Sequence, residues 1–270
     1  MKKLVSIVLV IFVLLVCPTV NYAKAKDCGT KVVVLMYHGL VADGKRNNTY
    51  VIDKNTLEKD VNYLLNRGYE IITTADLLSV TKGKKVPHKQ YAILTFDDGF
   101  YGNMKYGLPI FEKYGISAVF AVVGKYASSK EYTDKSSVFS YMDWNDIQKI
   151  SKQVEIASHS YDMHNLDNRR GVGKIKGENN KNYLETIKKD FTKIDELITN
   201  YATKPITFAY PYGIYNKITE ELLDTMGYKV TLTCNVGINY INSERDLKLL
   251  KRINRNGKIS TKDFMNKYNI

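Results

Sequence analysis

Histidine is scarce in this sequence. The 270 residues include four, at His38, His88, His159 and His164. The last two are five residues apart, which on a helix at about 100° per residue would leave their side chains about 140° apart. A loop would let them converge, and two histidines with one aspartate form a common open metal site. The pair therefore predicts a metal site, with surface histidines in a polar loop as the alternative.

Two adjacent carboxylates, Asp97 and Asp98, precede Gly99. The sharp turn that glycine permits would bring both toward one pocket, where a cation relieves their repulsion. The same tripeptide is also a common β-turn signal. Three roles are open for His38: a general acid, a third metal ligand or a hydrogen-bonded structural residue. His88 is predicted to be exposed and inert.

These residues must be positioned by elements that alternate along the chain. Amphipathic helical patterns separate apolar runs that read as strands, at 32–36, 70–72, 92–96, 117–122, 154–158, 206–210, 228–233 and 249–253. Such alternation predicts a parallel sheet covered by helices. Seven or eight units in roughly 240 residues indicate a barrel. An open doubly wound sheet is the alternative, but the sequence has no nucleotide-binding glycine loop.

Four polar clusters follow predicted strands and would meet at the carboxyl-terminal rim of such a barrel, where active sites form. They are Tyr37-His38, Asp97 to Gly99, His159, and Pro211-Tyr212-Gly213. Trp144 and Tyr141 are candidates for a platform under a sugar ring. Core packing is the alternative for Trp144.

The N-terminus has the pattern of a secretory signal. Lys2 and Lys3 precede an apolar run of 13 residues, Leu4 to Val16, and Ala23-Lys24-Ala25 offers a cleavage site. We therefore expect a signal peptide at 1–25, a single domain at 26–270, and a secreted or cell-surface protein. An uncleaved membrane anchor is the alternative.

Composition excludes several classes of protein. Hydrophobic residues make up 44% of the chain, which excludes disorder, and the mean hydropathy of -0.30 excludes a multi-span membrane protein. Three cysteines cannot build a disulfide scaffold, although a pairing of Cys28 with Cys234 stays open. The net charge of +12 would suit an anionic membrane or an anionic cell-wall polymer, with a generally solvated basic surface as the alternative. Because the chain is predicted to be secreted, we expect no nucleic-acid partner. We also expect a monomer.

Three motifs, in order, carry a family resemblance. They are Thr95 to Gly99 (T-F-D-D-G), Ser158-His159-Ser160 with the downstream His164, and Tyr210 to Gly213 (Y-P-Y-G). Over residues 30–255 the chain resembles the polysaccharide deacetylases of carbohydrate esterase family 4, the NodB-homology group. The resemblance implies a distorted (β/α)7-type barrel in a single domain, a polysaccharide substrate and hydrolysis of an N-acetyl group.

The resemblance also implies roles for individual residues. Asp97 matches the catalytic base, and Asp98, His159 and His164 match the ligands of a divalent metal ion. Zinc is the expected metal, with nickel, cobalt, iron and manganese as alternatives. The backbone N–H of Tyr212 matches the donor to the oxyanion.

Departures from the family pattern point to one branch. The histidine interval is five residues, Ala209 stands where an arginine is usual, and Leu250 to Asn254 lacks the usual late histidine. With the early His38, these features resemble the deacetylases that act on poly-β-1,6-N-acetylglucosamine in biofilm matrices, and His38 is then the replacement acid. A peptidoglycan N-acetylglucosamine deacetylase is one alternative. A catalytically weak wall- or glycan-binding protein on this fold is another, because the missing arginine and late histidine could weaken the site.

Overall fold

The computed structural model of the protein describes residues 29–270 apart from 84–87, 89 and 168. The predicted signal peptide, residues 1–25, and Cys28 lie outside the described residues, so the cleavage site and the cysteine pairing stay predictions. Within the described part of the chain, no helix combines the length and the apolar character needed to cross a bilayer.

Strands and helices alternate over most of the chain, as the sequence predicts. The strands are β1 (Thr30–Tyr37), β2 (Gly39–Val41), β3 (Val51–Asp53), β4 (Glu70–Ile71), β5 (Gln90–Phe96), β6 (Val119–Val122), β7 (Glu155–Ser158), β8 (Thr207–Ala209), β9 (Val230–Leu232), β10 (Asn239–Ile241) and β11 (Ile253–Asn254). The α-helices are α1 (Lys54–Asn66), α2 (Thr74–Thr81), α3 (Leu108–Tyr114), α4 (Gly124–Ala127), α5 (Trp144–Ile150), α6 (Asn180–Tyr201), α7 (Lys217–Met226) and α8 (Thr261–Lys267).

The main sheet curls into a distorted barrel, which confirms the predicted fold class. Strands β1, β5, β6, β7, β8 and β9 are parallel neighbours in that order. β11 pairs with the end of β1, and a parallel bridge joins Leu232 of β9 to Leu250, just before β11. The barrel is distorted because two further strands pair with its edges: β4 pairs with the first residues of β5, and the antiparallel β10 pairs with the first residues of β1.

Side chains alternate between the barrel interior and the helix layer, as the period of two in a strand requires. The interior cluster contains Val34, Ile93, Ala157, Ala209 and Leu250. Alternate positions pack outward in a second cluster with helix residues, including Val33, Leu35, Leu94, Leu57, Ile147 and Ile194. The inward register carries four polar residues to the carboxyl-terminal mouth: His38, Asp97, His159 and Arg252.

A buried ion pair fixes the strand that carries His38. Arg255 Nε donates to Asp60 Oδ2 of α1 at 2.7 Å, and both side chains are fully buried. The same carboxylate accepts hydrogen bonds from the hydroxyls of Tyr37 and Thr261. The network therefore ties the end of β1 to α1 and α8, and it holds the backbone beside His38 in place.

Candidate functional site

Asp98, His159 and His164 converge at the mouth of the barrel. Asp98 Oδ1 lies 3.6 Å from His159 Nε2 and 3.1 Å from His164 Nε2. One ligand atom from each of the three residues lies within 4.8 Å of the other two. The loop after β7 thus brings together two histidines that a helix would have held apart.

Hydrogen bonds orient both imidazole rings. His159 Nδ1 lies 2.7 Å from the backbone oxygen of Ala209, so this nitrogen carries the proton and donates it. Burial lowers the pKa of His159 to about 4, which leaves the ring neutral with a lone pair on Nε2. His164 Nδ1 lies 3.4 Å from the Tyr212 hydroxyl. Such contacts on the far nitrogen are typical of metal-ligating histidines.

The three residues fit a divalent cation. Asp98 Oδ1 is buried, yet no donor reaches it with hydrogen-bond geometry, and it faces the two Nε2 atoms. A buried carboxylate oxygen without a well-formed hydrogen bond is costly, and a cation between it and the two Nε2 atoms would satisfy it. Two imidazoles and one carboxylate suit zinc and neighbouring transition metals.

Asp97 is held by a residue that the sequence motifs did not reveal. Arg252 donates from Nη1 and Nη2 to the two carboxylate oxygens at 2.7 and 2.8 Å, and both side chains are buried. Arg252 also donates to Thr95 Oγ1 and to the backbone oxygen of Thr233. Burial opposes ionisation of Asp97, but the guanidinium outweighs it and holds the pKa of the carboxyl well below its usual range.

Arg252 changes the meaning of the absent arginine at Ala209. That absence suggested a weakened site, but the guanidinium comes from the segment that closes the barrel, directly before β11. A signal was present in the sequence: Leu250 and Arg252 share one face of a predicted strand, and a charge on an apolar face needs a buried partner.

Left-handed backbone marks three rim residues. Asp98, Ser160 and Tyr212 have φ values of 72°, 69° and 57°, a region that non-glycine residues seldom adopt. Each lies in the first residues after a strand end. Strained conformations persist where the surroundings over-determine them, and they concentrate at functional sites. Asp98, together with Gly99 at φ 83°, makes the turn that the sequence predicts.

A buried carboxylate on α6 holds the loop between the two histidines. Asp190 accepts hydrogen bonds from the backbone N–H groups of Tyr161 and Asp162 at 2.8 and 2.7 Å. Burial raises the pKa of Asp190 to about 6, although both N–H groups oppose the shift. No motif includes this residue. Its one sequence signal is an acid on the apolar stripe of α6, between Ile187 and Ile194.

His38 and Tyr212 lie at the same mouth. His38 Nδ1 is buried without a hydrogen-bond partner, and its ring meets Tyr50 edge-on at 5.0 Å. Burial raises the pKa of both carboxyls, but neighbouring groups outweigh it, chiefly Arg252 for Asp97 and His164 for Asp98, and His38 contributes to the lowering of both. The ring of Tyr212 lies 4.7 Å from that of His164.

Two other candidates behave as structural or surface residues. Trp144 is buried, stacks on Tyr201 at 5.5 Å and donates to Ser128 Oγ, so the packing interpretation is correct and it is no sugar platform. His88 is exposed, and its Nδ1 lies 3.0 Å from the backbone oxygen of Gln90.

Comparisons with known proteins agree with this geometry. The family model "Polysaccharide deacetylase" matches residues 84–231. The poly-beta-1,6-N-acetyl-D-glucosamine N-deacetylase of Escherichia coli (strain K12) is 24% identical over 231 residues, which is 76% of this chain but 34% of that protein. The chain thus spans about a third of that relative's length.

Two solved structures share the fold. A de-N-acetylase from Aggregatibacter actinomycetemcomitans superposes with a TM-score of 0.71 at 22% identity, covering 87% of this chain and 99% of that one. IcaB from Ammonifex degensii gives 0.68 at 22% identity, covering 83% and 92%. With a family model that matches more than half of its length, this chain belongs to the polysaccharide deacetylase family.

Proposed function

We propose that the protein is a secreted, metal-dependent N-deacetylase. Its substrate is an extracellular polysaccharide of the poly-β-1,6-N-acetylglucosamine type, and its products are acetate and a glucosamine unit in the chain. One observation carries the proposal: the ionised Asp97, locked by Arg252, opens onto the same mouth as the Asp98, His159 and His164 cluster.

The chain's own residues supply the proton transfers. A cation held by Asp98, His159 and His164 supplies Lewis acidity and a lowered pKa for water. Asp97 accepts the proton of the attacking water, since its depressed pKa keeps it ionised. The backbone N–H of Tyr212 donates to the oxygen that becomes negative. His38 protonates the leaving amine, and its unpartnered Nδ1 leaves that nitrogen free for such work.

The catalytically weak binding protein is the less favoured alternative. It rested on the missing arginine and the missing late histidine. Arg252 supplies a buried guanidinium on Asp97, and His38 supplies an imidazole at the same mouth, with a buried Nδ1 that has no hydrogen-bond partner. Both observations favour an enzyme.

The surplus of basic residues supports a location at the cell surface. We propose that the positive surface contacts anionic wall polymers while the monomeric enzyme works on the glycan. Such contacts are screened by salt. Washing intact cells with concentrated salt should therefore release the protein, and retention that salt does not change would contradict this part of the proposal.

A substrate panel tests the proposed function. Purified protein is loaded with zinc, nickel or cobalt, and acetate release is measured on β-1,6- and β-1,4-linked N-acetylglucosamine oligomers and on peptidoglycan. The proposal expects fastest release from the β-1,6 oligomers and none from the Asp97→Asn variant. Preference for peptidoglycan would identify the alternative substrate, and no release from any substrate would contradict an N-deacetylase.

A further inference from the structure

We propose that five aromatic residues beside the metal cluster form the binding surface for sugar units beyond the one that reacts. This inference rests on the proposed function, and it names the part of the substrate that the catalytic residues do not reach. We call this surface the aromatic wall, and it consists of Phe100, Tyr126, Tyr132, Phe139 and Tyr141.

The wall is continuous with the catalytic cluster. The ring of Tyr126 lies 6.1 Å from that of His164, and its hydroxyl donates to the backbone oxygen of His164. Tyr141 follows at 4.5 Å from Tyr126, and Phe100 stacks on Tyr141 at 4.8 Å. Phe139 continues the line at 6.3 Å from Phe100. A molecule that lies along these rings therefore reaches the metal ligands without leaving the wall.

The outer rings are open to solvent although they are aromatic. Phe139 is 44% exposed and Tyr132 is 37% exposed. Exposed aromatic rings that adjoin a site mark a surface that a ligand covers. Tyrosine in particular offers an apolar ring beside a polar hydroxyl, which matches a sugar with its apolar face and its hydroxyl edge.

The segment that carries the outer rings is held in place before any ligand arrives. Tyr141 N–H donates to the backbone oxygen of Tyr132, and Tyr101 N–H donates to that of Ser140, both at 2.8 Å. Lys135 forms an ion pair with the buried Asp146 at 2.8 Å. A surface that is already ordered loses little entropy on binding.

Charge argues for a neutral chain as the occupant. Lys125, next to Tyr126, pairs with Asp162 at 2.8 Å, and Lys135 pairs with Asp146, also at 2.8 Å. The wall itself consists of uncharged rings. An N-acetylated polysaccharide carries no charge at its acetamides, so it suits this surface better than an anionic wall polymer does.

Chain length gives the kinetic test. Rates are measured on a disaccharide and a hexasaccharide of β-1,6-linked N-acetylglucosamine with wild type, Phe139→Ala, Tyr132→Ala and the conservative Phe139→Trp. We expect each alanine variant to raise KM for both substrates unequally, with an increase for the hexasaccharide that is about threefold to tenfold larger than the increase for the disaccharide. Phe139→Trp should keep the hexasaccharide KM near the wild-type value. The matched control is Tyr240→Ala, because Tyr240 is 53% exposed on β10, which pairs with the opening residues of β1, away from the mouth. Equal changes of KM for both substrates, or no change, would contradict the role of the aromatic wall in binding further sugar units.

Affinity electrophoresis in gels that contain the acetylated polymer tests binding without catalysis. The wild type should be retarded, and Phe139→Ala should be retarded less than Tyr240→Ala. If acetate is released but the wall variants change neither KM nor mobility, the aromatic wall is not a binding surface, and the proposed deacetylase function is unaffected. If retardation depends on Phe139 but no acetate is released, the aromatic wall binds the polymer and the proposed deacetylase function is contradicted. A wild type that neither binds nor releases acetate rejects both.

Discussion

Arg252 and Asp97 form a bidentate ion pair inside the mouth of the barrel, although they are 155 positions apart in the sequence. The pair joins the segment that closes the barrel to the strand that leads into the T-F-D-D-G motif. Its geometry leaves the Asp97 carboxylate ionised and fixed in one orientation. The proposed catalytic base therefore depends on the closing segment of the fold.

Replacing Arg252 with methionine should damage stability and catalysis together. The change leaves a buried carboxylate without its cation, which costs about 3–5 kcal/mol of unfolding free energy. The pKa of Asp97 should rise because only burial and the weaker charges remain, so the acid limb of kcat/KM should move to higher pH. Arg252→Lys is the matched control and should shift the limb less. An unchanged acid limb in Arg252→Met would show that Asp97 is not the titrating base.

Asp190→Asn should weaken metal binding. The carboxylate holds the two N–H groups of the loop between His159 and His164, and an amide can accept from them with only one oxygen. We expect about tenfold weaker zinc affinity, measured by competition with a chelating dye. Asp195→Asn is the matched control on the same helix, because Asp195 accepts from the Tyr228 hydroxyl instead. Equal zinc affinity in the two variants would contradict the positioning role of Asp190.

The same residue predicts a pH dependence of stability in the metal-free protein. The pKa of Asp190 is about 6 in the folded state, above the unfolded value of about 3.9. Folding therefore takes up a proton between these values, and the free energy of unfolding should rise as pH falls from 7 toward 4. Urea unfolding at several pH values should show this rise in wild type relative to Asp190→Asn. Parallel pH curves for the two proteins would contradict the raised pKa.

His38→Ala should lower kcat by about a hundredfold or more, since the leaving amine loses its proton donor. Metal content should stay unchanged, because the proposed ligand set does not include His38. His88→Ala is the control, since His88 is exposed and lies outside the site. A His38→Ala enzyme with full activity would require a different acid.

The amino-acid sequence was sufficient to predict the barrel and most of the site. Alternating strands and helices determine which residues follow strand ends, and parallel strands place all of those ends at one rim. Asp97, Asp98, His159 and His164 could therefore be grouped by their positions in the sequence alone. Local signals were enough because each of these residues lies shortly after the end of β5 or β7.

Arg252 and Asp190 were missed for a physical reason. Each acts on a residue far along the chain, and only the curl of the sheet and the packing of α6 bring the partners together. Period-two and helical patterns indicate which face a residue occupies, but they do not identify the group that it meets. Trp144 illustrates the same limit, because only its contact with Tyr201 shows that it belongs to the core.

Metal-dependent deacetylation is tested by measuring bound metal and acetate release in the same samples. Wild type and His164→Ala are stripped with chelator, assayed on β-1,6-linked N-acetylglucosamine oligomers, and assayed again after zinc is restored. We expect stripped wild type to be inactive and to recover with zinc, while His164→Ala binds little zinc and stays inactive. Undiminished acetate release by metal-free wild type would contradict this expectation.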